Sequence, residues 1–168
     1  MPRSQYVLDA SAVINLYQHF QARRVSQMLT AHAGRKGVRI PEGVQRELMR
    51  HSDAAATTMA KLAGRQHECI VRFKQHPELL GQLPEMERKY GEEIRVEKKT
   101  YNGFWKSPAG HNAADGQVVA VARYFRATAV SEDRAIELAC MLENVPCIGW
   151  SEFARLCGLA RHTQRELF

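Results

Sequence analysis

The sequence predicts an α/β fold in three layers, a central parallel sheet of four to five strands flanked by helices. Short apolar segments of strand type recur along the chain, and each is followed by a stretch with helical apolar spacing. Strands that alternate with helices build a parallel sheet with right-handed crossovers. The length of 168 residues, with 45% apolar and 25% charged residues, suits one domain with a core of useful size. No uninterrupted apolar run is longer than Val118–Ala122, far short of the roughly 20 residues a membrane span needs. Asp9 interrupts the N-terminus before a signal-peptide apolar region can develop. A soluble, cytoplasmic chain is therefore expected, with no membrane partner.

The elements follow in order. Gln5-Tyr6-Val7-Leu8 reads as a short buried strand ending at Asp9, and Ala12 to Phe20 follows with Val13, Ile14, Leu16 and Tyr17 at helical spacing. Val25, Met28 and Leu29 mark a second helix, stopped by Gly34. Gly37–Ile40 is the next strand, and Pro41 stands where a helix starts, its missing N–H costing nothing there. Helical spacing predicts helices over 54–75 and 84–99, with breaks near His76-Pro77 and at Pro84, and a loop from Tyr101 to Gly110. Ala113–Phe125 is predicted as a helix, Ala127–Val130 as a strand, Arg134–Leu142 as a helix stopped at Asn144, and Pro146–Gly149 as a strand. Ser151 is expected to cap a last helix, Glu152–Cys157, closed by Gly158.

Lys plus Arg exceeds Asp plus Glu by 24 − 18 = +6. Residues 19–50 hold seven basic residues against Glu42 and Glu47, whereas residues 107–168 hold six basic and seven acidic. Such a balance favours polyanionic partners, nucleic acid first, without diagnosing them. The four cysteines show no Cys-x-x-Cys, and His67-Glu68-Cys69 lacks a second ligand pair at zinc spacing. Cys140, Cys147 and Cys157, among apolar neighbours, read as small core residues.

In parallel α/β sheets, chemistry sits outside the carboxyl ends of the strands. Four acids have that address or one beside it. Asp9 ends the first strand, Glu47 lies in the first turns after the second, Asp115 opens the helix before the Ala127–Val130 strand, and Asp133 follows that strand. Taken singly, each has an ordinary explanation in helix capping or, for Glu47, pairing with Arg50. Converging, they need a cation. Two unit charges at 4 Å repel by roughly 4 kcal/mol at an effective dielectric near 20, and without a metal one or more would take up a proton. Oxygen-only ligands point to Mg²⁺ or Mn²⁺.

In this order, the motifs resemble those of the PIN-domain nucleases. Tyr6-Val7-Leu8-Asp9-Ala10-Ser11-Ala12-Val13-Ile14-Asn15-Leu16 is similar to that family's first strand and turn. Ile40 to Leu48 resembles the second acidic motif, which places the ligand role on Glu47 and not Glu42. Ala113-Ala114-Asp115 resembles the third, and Val130-Ser131-Glu132-Asp133-Arg134 the fourth. Val145 to Phe153 resembles the last strand and helix. The likeness covers roughly residues 4–50 and 111–158, similar in plan to compact prokaryotic members such as VapC-type toxins. Residues 1–168 then form one PIN-like domain, with a longer helical and loop insertion at about 51–110.

The resemblance implies metal-dependent endonucleolytic cleavage of RNA, with Asp9, Glu47, Asp115 and Asp133 as catalytic acids. Asp9, Asp115 and Asp133 are the candidate ligands for Mg²⁺ or Mn²⁺, and Glu47 completes the shell or orients a water. Ser11 and Ser131 are candidates to hold waters or a carboxylate rotamer, and Asn15 to bridge to Asp9. It also implies a small antitoxin partner, if the chain is the toxin of a pair, and a homodimer. Arg23, Arg24, Lys98, Lys99 and Arg134 are candidates to grip RNA phosphates. Tyr101, Phe104 and Trp105 either stack on unpaired bases or anchor their loop to the core. His111 is a candidate to approach the site, although a lone His is more often structural. A housekeeping RNA-processing nuclease would share this chemistry. A haloacid-dehalogenase-like phosphatase wants a second Asp two residues after the first, where Ser11 stands. A non-catalytic RNA- or protein-binding module on a nuclease fold would be marked by lost carboxylates, and all four are present.

Overall fold

A computed structural model of the chain describes residues 5–50, 53–65, 68–106 and 114–160. His111 and Ala113 lie outside the described residues. Strand β1 (Tyr6–Leu8) leads into α1 (Ala10–His19) and α2 (Ala22–Gly34), then β2 (Val38–Pro41), α3 (Glu42–Met49) and α4 (Ala54–Arg65). The middle of the chain adds β3 (Ile70–Val71), a 3-10 turn (Phe73–Gln75), α5 (Pro77–Tyr90), a hairpin of β4 (Glu93–Val96) and β5 (Lys99–Asn102), and a second 3-10 turn (Phe104–Lys106). The last third holds α6 (Asp115–Phe125), β6 (Thr128–Val130), α7 (Arg134–Leu142), β7 (Cys147–Ile148) and α8 (Trp150–Leu156).

Five strands form a parallel sheet in the order β3-β2-β1-β6-β7, flanked by helices, so the expected three-layer α/β class is what the chain adopts. β1 is central, with Tyr6 opposite Val38 on one side and Leu8 opposite Val130 on the other. Crossovers from β1 run outward through β2 to β3, whereas the crossover from β6 runs the opposite way to β7. Right-handed connections therefore put α1 to α4 on one face and α6 and α7 on the other. Packing agrees, since α1 contacts α2, α3, α4 and α8, while α6 lies between α5 and α7. The direction reverses between β1 and β6, and that reversal opens a crevice at their carboxyl ends. Among the described residues no helix is long and apolar enough to cross a membrane.

Several boundaries differ from expectation for physical reasons. β3 is a two-residue strand, paired Ile40 to Ile70 and Pro41 to Val71, too short for any alternation to betray it. Pro84 does not break α5, which runs through it with Leu79, Met86 and Tyr90 buried. Pro84 is exposed, so the carbonyl it leaves without an N–H partner faces water. Residues 93–102 are a hairpin, not the end of a helix, and Tyr101 belongs to β5. Ser151 lies inside α8, whose N-cap is Gly149. Asn144 and Gly158 do end their elements with positive φ, as C-terminal stops require. All four cysteines are free thiols, Cys69 and Cys140 buried and the other two half-buried.

The hairpin is fastened to the body by Phe104, 1% exposed and edge-on to Tyr90 at 6.2 Å. Gly103 makes that junction possible, because any Cβ there would run into the Tyr90 and Gly91 carbonyls. Phe104→Ala is expected to lower the unfolding free energy by about 3–5 kcal/mol, read by denaturant titration. A loss under about 1 kcal/mol, the size of an ordinary surface change, would contradict this anchoring role.

Candidate active site

The crevice at the end of β1 and β6 is built around Asp9. Its backbone N–H continues the sheet, donating to the Val130 carbonyl at 3.1 Å. Its side chain caps α1, with Oδ1 accepting from the Ala10 N–H at 2.8 Å. Oδ2 accepts from two hydroxyls, Ser11 Oγ at 2.7 Å and Ser131 Oγ at 2.9 Å. Ser131 is fully buried, and its Oγ also accepts from the Asp133 N–H at 3.0 Å. One hydroxyl thus ties the end of β1 to the turn after β6. Asp133 in turn caps α7, with Oδ1 accepting from the Ile136 N–H at 3.0 Å.

Asp115 arrives from the other side, in the first turn of α6, only 8% exposed. Its Oδ2 is buried without a hydrogen-bond partner among the described residues. Capping does not account for that oxygen. Burial, then the charges of Asp133, Asp9 and Glu47, push its carboxyl up to about 8. Burial also raises the Asp9 carboxyl above its ordinary range. The Ser11 and Ser131 hydrogen bonds oppose that rise and the Asp133 charge adds to it. Glu47, half-buried on α3, is therefore within electrostatic reach of the same group. The four acids predicted from sequence share one field, and Asp115 feels all the others. Among the described residues, no three His, Cys, Asp or Glu side chains stand gathered as a group that could hold a metal ion.

A contact not foreseen from sequence braces this arrangement. The Gly43 N–H at the start of α3 donates to Gln117 Oε1 on α6 at 2.8 Å, linking the helix that carries Glu47 to the helix that carries Asp115. A Cβ on Gly43 would lie 2.6 Å from that oxygen and 2.9 Å from Ala114 Cβ, so glycine permits the approach. The one sequence signal was a lone amide in an otherwise small and apolar helix turn. Glu42 has a structural duty, its Oε1 accepting from the Phe73 N–H at 3.2 Å.

The supporting candidates divide. Ser11 and Ser131 join the site as described. Asn15 does not bridge to Asp9, because its Nδ2 donates to the Ser11 carbonyl at 2.8 Å, one helical turn back. Arg24 is directed to the Leu159 carbonyl at 3.0 Å, which makes it a tether for the chain after α8. Arg23 lines a separate cavity of about 790 Å³ between α2 and α4, which none of the four acids lines. Ser26 and Thr58 also line it and, with Tyr17, satisfy one another's hydroxyls at 2.8 Å. Lys98 and Lys99 are exposed at the hairpin turn, and Arg134 follows Asp133 with its guanidinium 5.4 Å from the Tyr101 ring centre. Phe104 is core, whereas Trp105 and Tyr101 are half-buried. Comparison of the chain with protein-family models and with curated proteins finds no match.

The raised Asp115 carboxyl has a consequence for stability in chelator-treated protein. Below its unfolded value of 3.8 the folded and unfolded chains both hold the proton, and above about 8 both have lost it. Between those limits the folded chain binds more protons, so the Asp115 contribution falls as pH rises through the window and stays low above it. Asp115→Asn is expected to match the wild type near the acid limit and to be the more stable chain near pH 8, by thermal or urea unfolding. A stability gap that is constant with pH would contradict the assignment.

Proposed function

We propose that the chain is a divalent-metal-dependent ribonuclease of PIN type, hydrolysing RNA phosphodiesters at the β1/β6 crevice. The observation that carries this reading is the buried Asp115 Oδ2, without a hydrogen-bond partner among the described residues and in the field of three further acids. A lone polar atom in that position costs free energy unless a proton or cation meets it. The all-oxygen donor set suits Mg²⁺ or Mn²⁺. The motif order read in the sequence supports the same reading, and the basic balance of the chain suits a polyanionic substrate.

Asp9, Asp115 and Asp133 are the residues that would hold the ion. When bound, Mg²⁺ or Mn²⁺ lowers the pKa of a bound water and offsets the charge of the attacked phosphodiester. Ser11 and Ser131 fix the Asp9 rotamer and favour its ionised form by donating to it. Those bonds, with the one from the Ala10 N–H, use both lone-pair sites of Asp9 Oδ2 and one of Oδ1, so the acceptor capacity that remains for an ion is on Oδ1. Asp133 uses Oδ1 for its cap, which leaves Oδ2 for the crevice. Glu47 would orient a water or complete the acidic shell, and the Gly43–Gln117 contact ties its helix to that of Asp115.

Incubation of the chain with total RNA and Mn²⁺, resolved on a denaturing gel, tests the reading. Cleavage is expected, abolished in Asp115→Asn and reduced about ten- to a hundredfold in Ser131→Ala, the range for losing a group that orients a ligand. Undiminished cleavage by Asp115→Asn would overturn the assignment. RNA that is bound and left intact by the wild type would make the chain a binding module instead.

A further inference from the structure

We propose that the β4–β5 hairpin of the insertion, together with Arg134, is the surface that guides an unpaired RNA strand into the acid crevice. This rests on the ribonuclease reading and assigns a role to a segment that reading does not use. The hairpin stands outside the five-stranded sheet, and β4 packs on α7.

Its register sorts the side chains. Ile94 pairs with Tyr101 and Val96 with Lys99, so these four share one face. Glu93 and Arg95, with Thr100 and Asn102 opposite, occupy the other. Burial agrees for most positions, with Ile94 at 1% exposure, Val96 and Tyr101 half-buried, and Glu93, Arg95, Thr100 and Asn102 exposed; Lys99, beside the turn, is exposed as well. Among the paired positions the face that packs on the body thus carries Tyr101 and, at its solvated end, Lys99, while Glu93 lies on the other face and Glu97 stands exposed in the turn with Lys98. Arg134, the residue after Asp133, places its guanidinium over the Tyr101 ring. A row then runs outward from the acids, from Arg134 to Tyr101 to Lys99, with Lys98 beside it at the turn.

Basic, aromatic and basic groups in sequence match the repeat of an unpaired strand, in which phosphates alternate with exposed base faces. Arg134 pairs with Glu137 at 3.5 Å, but both side chains are well exposed. Such a pair is weak, and a phosphate can take the guanidinium over. A duplex keeps its base faces stacked inside and offers Tyr101 nothing to stack on.

The test is fluorescence anisotropy on the full chain, with EDTA present so that nothing is cut. The probes are a labelled single-stranded RNA of mixed sequence and the same strand annealed to its complement. The single strand is expected to bind at least about tenfold more tightly than the duplex. Tyr101→Ala should weaken single-strand binding by about 5- to 150-fold, the equivalent of one lost base stack, and Tyr101→Phe should retain it. Lys99→Ala, at an exposed position, should reduce the slope of log K against log salt by about 0.7. Equal affinity for duplex and single strand, or wild-type binding by both Tyr101→Ala and Lys99→Ala, would overturn the proposal. Because binding is read without metal, the two claims separate. A chain that binds as described but cuts nothing in Mn²⁺ keeps this surface and loses the nuclease reading. A chain that cuts RNA while both variants bind normally keeps the nuclease and loses the surface.

Discussion

Like charges buried together are the constraint around which this molecule is arranged. Three aspartates and a glutamate lie within one another's electrostatic field where the sheet reverses its direction of winding, two of them 8% exposed or less. Water cannot screen such a group, and repulsion between two carboxylates at close approach amounts to roughly 4 kcal/mol at an effective dielectric near 20. The protein answers with different devices at different acids. Asp9 receives two hydroxyls and a backbone N–H. Asp133 receives the Ile136 N–H of its own helix. Asp115 receives nothing at Oδ2 from the described residues, and its carboxyl is pushed up to about 8.

The fold serves that arrangement. β1 and β6 are neighbours because the chain crosses back over the sheet through α6, and this places Asp9 and Ser131 within one hydrogen bond of each other across 122 residues of sequence. Glu47 and Asp115 sit on separate helices, and their approach depends on Gly43 having no side chain and Gln117 having an acceptor. Within the insertion, β3 extends the main sheet at its edge, whereas the β4–β5 hairpin forms a sheet of its own and brings Tyr101 to Arg134, the residue after Asp133.

Legibility in the sequence followed the range of the interactions. Asp9, Ser11, Ser131 and Asp133 were readable because each lies within three residues of a strand end, where local geometry alone fixes its address. The parallel class was readable because alternation of strand and helix is a chain-long pattern. Asn15 misled because a helix offers it a carbonyl four residues back, closer than any carboxylate. Arg24 misled because its partner, the Leu159 carbonyl, is 135 residues away. β3 owes its existence to pairing with β2 and not to its own two residues. The hairpin carries charged residues on a solvated face, so its apolar alternation is thin and passed for helix. The Gly43–Gln117 contact is purely tertiary, and no periodicity announces it.

Calorimetric titration with Mn²⁺ near pH 7, repeated in two buffers of different ionisation enthalpy, tests the central claim without reference to any substrate. A saturable site that releases a proton on binding, and is lost in Asp115→Asn, is what a protonated Asp115 awaiting a cation predicts. Absence of binding, or equal binding by the wild type and Asp115→Asn, would contradict it.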